Sequence, residues 1–219
     1  MDPLLAEEDN FSIVVVGAMN PRIHHPAWYQ LVKLIDEPTA AAALTEGQFA
    51  CLQPFATFRT SHFAIACQDS MWTIQTHNAA HLERIRDIAA EVFDTRLRET
   101  PISAFGLNFD YHRRTRLADV GQCLAERVAL LRIGLETERY LSAHTTARYG
   151  DQRRLVTVRV EPSVRGPNMI FVGNNFQYRI EGEPKHFALK PLFDESFPIC
   201  QREASDRCVR ILAAVDGGV

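Results

Sequence analysis

Two six-residue phrases constrain this chain more than anything else in it. Gly106-Leu107-Asn108-Phe109-Asp110-Tyr111 and Gly173-Asn174-Asn175-Phe176-Gln177-Tyr178 both have the form G-x-N-F-x-Y. Each sits in a long run of strand character, ISAFGLNFDYHRR and MIFVGNNFQYRIE, and successive side chains of a strand point to opposite sides. Phe109 and Tyr111 therefore share a side with Leu107, and Phe176 shares one with Tyr178. Gly106, Asn108 and Asp110, and in the second copy Gly173, Asn175 and Gln177, take the other side. Each phrase thus puts aromatics one way and polar groups the other. A glycine inside a strand marks a bulge or a close backbone approach.

The repetition has three readings. The two phrases can be long strands of one sheet, with aromatics toward helices and polar groups toward solvent. They can be the trace of a duplicated β-rich/α unit, with pseudo-repeat halves 11–115 and 136–215 linked by a helix over 116–135. Or the polar sides can meet in a ligand site, with Asn108, Asp110, Asn175 and Gln177 side by side.

The remaining segments point to an α+β class. FSIVVVG is a β-branched run closed by Gly17 and the Asn20-Pro21 turn signal, so it reads as a buried strand. Pro26 opens a helix over PAWYQLVKLID, since proline suits a first turn, and EPTAAAALTEGQ reads equally as its extension or as a loop. Between Gln48 and Thr76, PFATFRT, HFAIACQ and SMWTIQT read as three antiparallel strands. Asn78 caps the clearest helix, residues 79–100, where Leu82, Ile85, Ile88, Ala89, Val92, Phe93 and Leu97 form one apolar stripe. A second helix is expected over 116–136. Residues 153–162 read as a strand, and a last helix runs from about Pro191 with Ala204, Cys208, Ile211 and Leu212 on its inner face. Strands in runs separated by single helices imply an antiparallel or mixed sheet with helices packed mainly on one face, in one domain spanning 1–219. The alternating rhythm of a doubly wound fold is missing.

Composition narrows the function. With 219 residues, 46% apolar and 23% charged, the chain is an ordinary folded protein. No apolar run approaches the roughly 18–20 residues of a membrane span, and the acidic start, MDPLLAEEDNF, lacks the basic and apolar regions of a secretory signal. A cytoplasmic protein with no membrane contact is expected. The five cysteines are odd in number and form no CxxC pair, so they read as buried free thiols rather than as a zinc or redox motif. His77 and His81 have metal-compatible helix spacing but no HExxH form and no obvious third ligand, so no metal and no cofactor is expected. P-loop, GxGxxG and GxSxG patterns are absent.

The net charge of −3 is unevenly spread: residues 96–165 carry 13 basic and 8 acidic side chains. Only three of the 24 basic residues are lysines, which fits codon bias or a use of planar, bidentate anion contacts. His112, Arg113 and Arg114 directly follow the first phrase. The expectation is a non-enzymatic binding or assembly protein, acting through its sheet surface or as a subunit of a larger complex, with a protein partner or self-association. The alternative is an enzyme or sensor for a nucleotide or other phosphorylated ligand, using Asn108, Asp110, His112, Arg113, Arg114, Asn175 and Gln177. Nucleic acid is a possible partner but not the favoured one, given the net charge and the lack of a reading motif.

Overall fold

The apolar and aromatic runs assemble into one antiparallel sheet of nine strands. The computed structural model describes residues 9–45, 49–52, 54–124, 145–150, 153–180 and 188–217. The strands are β1 (Asn10–Gly17), β2 (Phe49–Leu52), β3 (Phe55–Arg59), β4 (Ala64–Gln68), β5 (Met71–Thr76), β6 (Ile102–Arg114), β7 (Thr145–Gly150), β8 (Arg154–Pro162) and β9 (Met169–Arg179). Their order across the sheet is β2-β3-β4-β5-β1-β6-β9-β8-β7. Two of these strands, β2 and β7, go beyond the sequence expectation; both are short and form the sheet edges, where alternation has little length in which to show.

The helices are α1 (Pro26–Leu31), α2 (Glu37–Thr45), α3 (Leu82–Ala90) and α4 (Leu189–Asp216). Helix α1 ends earlier than its apolar spacing suggests, because Lys33 turns into the left-handed region at φ 62°. The next helix is therefore separate. Helix α3 continues into a wider π-helical turn over Glu91–Arg96, and the Asp94 carboxylate at its end accepts the backbone N–H groups of Leu189 and Lys190 at 2.7 Å each. One carboxylate thus satisfies two of the N–H groups that every helix start leaves unpaired. Of the helix expected over 116–136, residues 120–124 are helical and 125–136 lie outside the described residues.

The helices pack on one face of the sheet. Phe193 and Phe197 of α4 meet Phe105 and Phe109 of β6 edge-on, at ring separations of 5.2 and 5.5 Å. Phe93 meets Trp72 of β5 at 5.2 Å, and Tyr29 of α1 meets Phe58 of β3 at 5.1 Å. Edge-to-face pairs at such separations contribute beyond the area they bury. Ile13, Trp72, Ile74, Leu107 and Phe176 on this face are fully buried. Pro198 inside α4 lacks an N–H to continue the helical bonding, but the packing of Phe193, Phe197 and Cys200 holds the helix across it.

The junction between β1 and the start of β6 is tight. The register shifts at Val16/Gly17, and a Cβ on Gly17 would stand 2.1 Å from the carbonyl oxygen of Pro101. Gly17→Ala is expected to destabilise the protein by about 1–3 kcal/mol, the usual cost of forcing extra volume into packed surroundings. Urea unfolding of the variant checks this, and an unchanged midpoint would refute the close approach.

Candidate functional site

The two phrases are neighbours in space. β9 pairs with β6 along its whole length, with Asn108 directly opposite Asn175, Gly106 opposite Gln177 and Asp110 opposite Gly173. Because the strands run antiparallel, the phrases lie head to tail and their polar sides form one continuous surface. β1 extends it on one side, placing Ser12 beside Asn108 and Asn10 beside Asp110. β8 extends it on the other, with Thr157 beside Asn175 and Arg159 beside Gly173.

Hydrogen bonds tie the middle of this surface together. Asn175 donates through Nδ2 to Asn108 Oδ1, and Asn108 donates through Nδ2 to Ser12 Oγ at 2.9 Å. A chain of bonds pointing the same way polarises its members and strengthens each bond. The same row continues through Gln75 and Ala64 to Arg59 on β3, and in the other direction through Thr157 to Arg148 on β7. At one interstrand spacing per step, the row is about 33 Å across.

A second cluster lies one row along. Asn10 Nδ2 donates to the Asp110 carboxylate at 3.3 Å. Burial pushes the Asp110 carboxyl above its ordinary range, and the bond from Asn10 pulls the other way. The Phe171 ring lies over Gly173, where a Cβ would come within 2.8 Å of it. The glycine of the second phrase therefore makes room for an aromatic ring. Arg159 stacks on that ring at 4.9 Å and pairs with Glu161 at 3.2 Å. The His112 ring also lies 5.0 Å from that of Phe171, and its Nδ1 is 2.8 Å from Ser163 Oγ. Ser163 is buried and its oxygen also accepts the Arg165 N–H at 3.1 Å, so this serine holds a turn rather than presenting a nucleophile.

Of the residues picked out by sequence, Asn108, Asp110, His112, Asn175 and Gln177 thus share one face, with Arg114 at the exposed end of β6. Arg113 does not join them. It points to the helix side, buried, with Nη2 2.8 Å from an Asp9 carboxylate oxygen, a second bond from Nη1 to the same carboxylate, and its guanidinium 5.0 Å from the Tyr111 ring. The alternation that sends Tyr111 to the core sends Arg113 there as well.

Over the first half of the sheet, the same face dips. A depression of about 390 Å³ lies over β2–β5, lined by Ala50, Thr57, Arg59, Ala64, Ala66, Thr73 and Gln75 with parts of Phe49 and Ile65. Sequence alternation shows Thr57, Arg59, Thr73 and Gln75 as outward residues, but not that β5 stands next to β1. That pairing joins the depression to the amide row.

On its strands this face carries five arginines (Arg59, Arg114, Arg148, Arg159 and Arg179) against Asp110 and Glu161, in a chain whose net charge is −3. The polar face is the electropositive one. His81 pairs with His62, ring centroids 4.5 Å apart, rather than with His77, and among the described residues no group of three His, Cys, Asp or Glu side chains could hold a metal ion. Cys67, Cys200 and Cys208 are buried and free. No helix among the described residues is long and apolar enough to cross a membrane. Compared with known proteins, the chain matches no family model and no curated sequence.

Proposed function

We propose that this chain is a non-enzymatic binding or assembly protein whose working surface is the open face of its sheet, and that the partner presents acidic groups. The observation that carries this reading is the division of the molecule. The helices and nearly all large apolar side chains lie on one face of a nine-stranded sheet, while the other face holds a bonded row of amides and hydroxyls flanked by surplus arginine. A row about 33 Å across suits a standard protein interface of roughly 800 Å² per partner. Arginine and amide side chains suit a wet, polar contact steered by charge.

The test compares two pairs of exposed arginines. Arg148→Glu/Arg179→Glu reverses charge on the open face, and Arg202→Glu/Arg210→Glu does so on the exposed side of α4. Binding of a fluorescent polyglutamate peptide, followed by anisotropy, is expected to weaken as salt rises from about 50 to about 300 mM. The open-face pair should weaken it by about tenfold or more, as loss of charge-assisted bonds does, and the α4 pair should leave it nearly unchanged. Equal loss in both variants would refute the open face as the working surface. A turnover abolished by replacing one polar residue would refute the non-enzymatic reading.

A second reading, a site for a nucleotide or other phosphorylated ligand, is favoured by one feature. The Arg59 guanidinium, beside the depression, makes no hydrogen bond, ion pair or ring contact with a described residue.

A further inference from the structure

We infer that the depression over β2–β5 is a binding site for a small planar organic anion. The inference deepens the second reading and rests on the same open face. Two rows of the sheet make the site: Ala50, Thr57, Ala66 and Thr73 lie across four adjacent strands, and Arg59, Ala64 and Gln75 lie across three. Alanines where longer side chains could stand explain why the face dips here. They leave a flat, apolar floor suited to a ring.

Three of the four polar side chains around that floor are unused among the described residues. The Thr57 hydroxyl already donates to the Ile65 carbonyl at 2.9 Å, but the Thr73 hydroxyl, the Gln75 amide and the Arg59 guanidinium have no partner among the described residues. These three offer one cation and a set of neutral donors and acceptors on one side of the floor. Phosphates and carboxylates match a guanidinium in two parallel bonds, and a glutamine amide matches the paired donor and acceptor edge of a nucleobase. The volume of about 390 Å³ falls at the lower end of the roughly 300–1,000 Å³ of ligand sites. The ligand is therefore small: one planar ring system with one anionic group, attached directly as in an aromatic carboxylate or through a sugar as in a nucleoside monophosphate.

Titration calorimetry with AMP and with 1-naphthoate tests the site and separates the two sources of the anion, with adenosine and inorganic phosphate as probes of each half alone. At least one planar anion is expected to bind. Ala66→Phe, which fills the floor from a half-buried surface position, should abolish that binding. Arg59→Ala should weaken it by about tenfold or more. Both variants should keep the parent melting temperature, and Arg148→Glu/Arg179→Glu should retain the small anion. Binding of neither probe, or binding that survives Ala66→Phe, would overturn the inference. The polyglutamate result would be untouched by that failure, because its arginines lie on the opposite half of the sheet.

Discussion

Arg113→Ala is expected to lower the unfolding free energy by about 3–5 kcal/mol, the cost of leaving one partner of a buried ion pair behind. Arg113 is 8% exposed, and its guanidinium holds Asp9 while also bonding the His112 carbonyl oxygen at 2.9 Å. Removing it strands the partly buried Asp9 carboxylate near Tyr111 and Cys208 of α4, at the point where the chain enters β1. The pair itself need not be stabilising, since two well-packed apolar residues can replace a buried pair without loss. Arg113→Met combined with Asp9→Leu should accordingly recover most of what Arg113→Ala loses. Urea unfolding of the three variants decides the matter. A loss below about 1 kcal/mol in Arg113→Ala would mean that the pair behaves as a surface salt bridge. In that case water reaches both charges in the folded protein.

Arg113 also shows what the sequence made legible. The class of fold, the long strands and the side on which Phe109 and Tyr111 point follow from period-two alternation, which needs only a few consecutive residues. The same rule, continued two residues past Tyr111, places Arg113 in the core. His112, Arg113 and Arg114 are a basic cluster in the sequence but not one surface, because neighbours in a strand face opposite ways. Pairing across strands is different. That Asn108 lies opposite Asn175, and that Gln75 and Ser12 extend their row, depends on contacts between residues far apart in sequence, and no local period encodes such contacts. The depression is illegible for the same reason. Alanine at 50, 64 and 66 is unremarkable in each strand and becomes a floor only when β2, β3 and β4 are side by side. His24 is a further case: no local pattern around the Asn20-Pro21 turn marks it as a core residue, yet in the fold it is buried.

That burial makes acid stability the second large effect. His24 is 1% exposed and its Nδ1 lies 2.8 Å from the Tyr29 hydroxyl, which also accepts the Trp72 indole N–H at 3.0 Å. An indole N–H can only donate, and among the described residues His24 Nδ1 is the acceptor that meets the buried Tyr29 hydroxyl. The tyrosine therefore donates to Nδ1 and the imidazole carries its proton on Nε2. Burial pulls the His24 pKa down to about 4 from the ordinary 6.5. Above pH 6.5 the ring is neutral in both folded and unfolded chains, and the stability it confers is fully present. Between 6.5 and 4 the unfolded chain takes up a proton that the folded chain refuses, so stability falls with pH by up to about 1.4 kcal/mol per unit and by about 3 kcal/mol across the window. Protonation would also remove the acceptor for Tyr29, leaving a buried hydroxyl proton without a partner. Asp110, whose carboxyl burial pushes up, works in the opposite direction. For that reason the comparison must be made against a variant rather than against the pH profile alone. His24→Gln should be less stable than the parent at pH 7, and should lose about 2 kcal/mol less than the parent between pH 7 and pH 4.5 in urea unfolding. Parallel pH profiles for the two proteins would show that His24 takes up its proton as readily folded as unfolded, and that the His24–Tyr29–Trp72 network is not sealed from water.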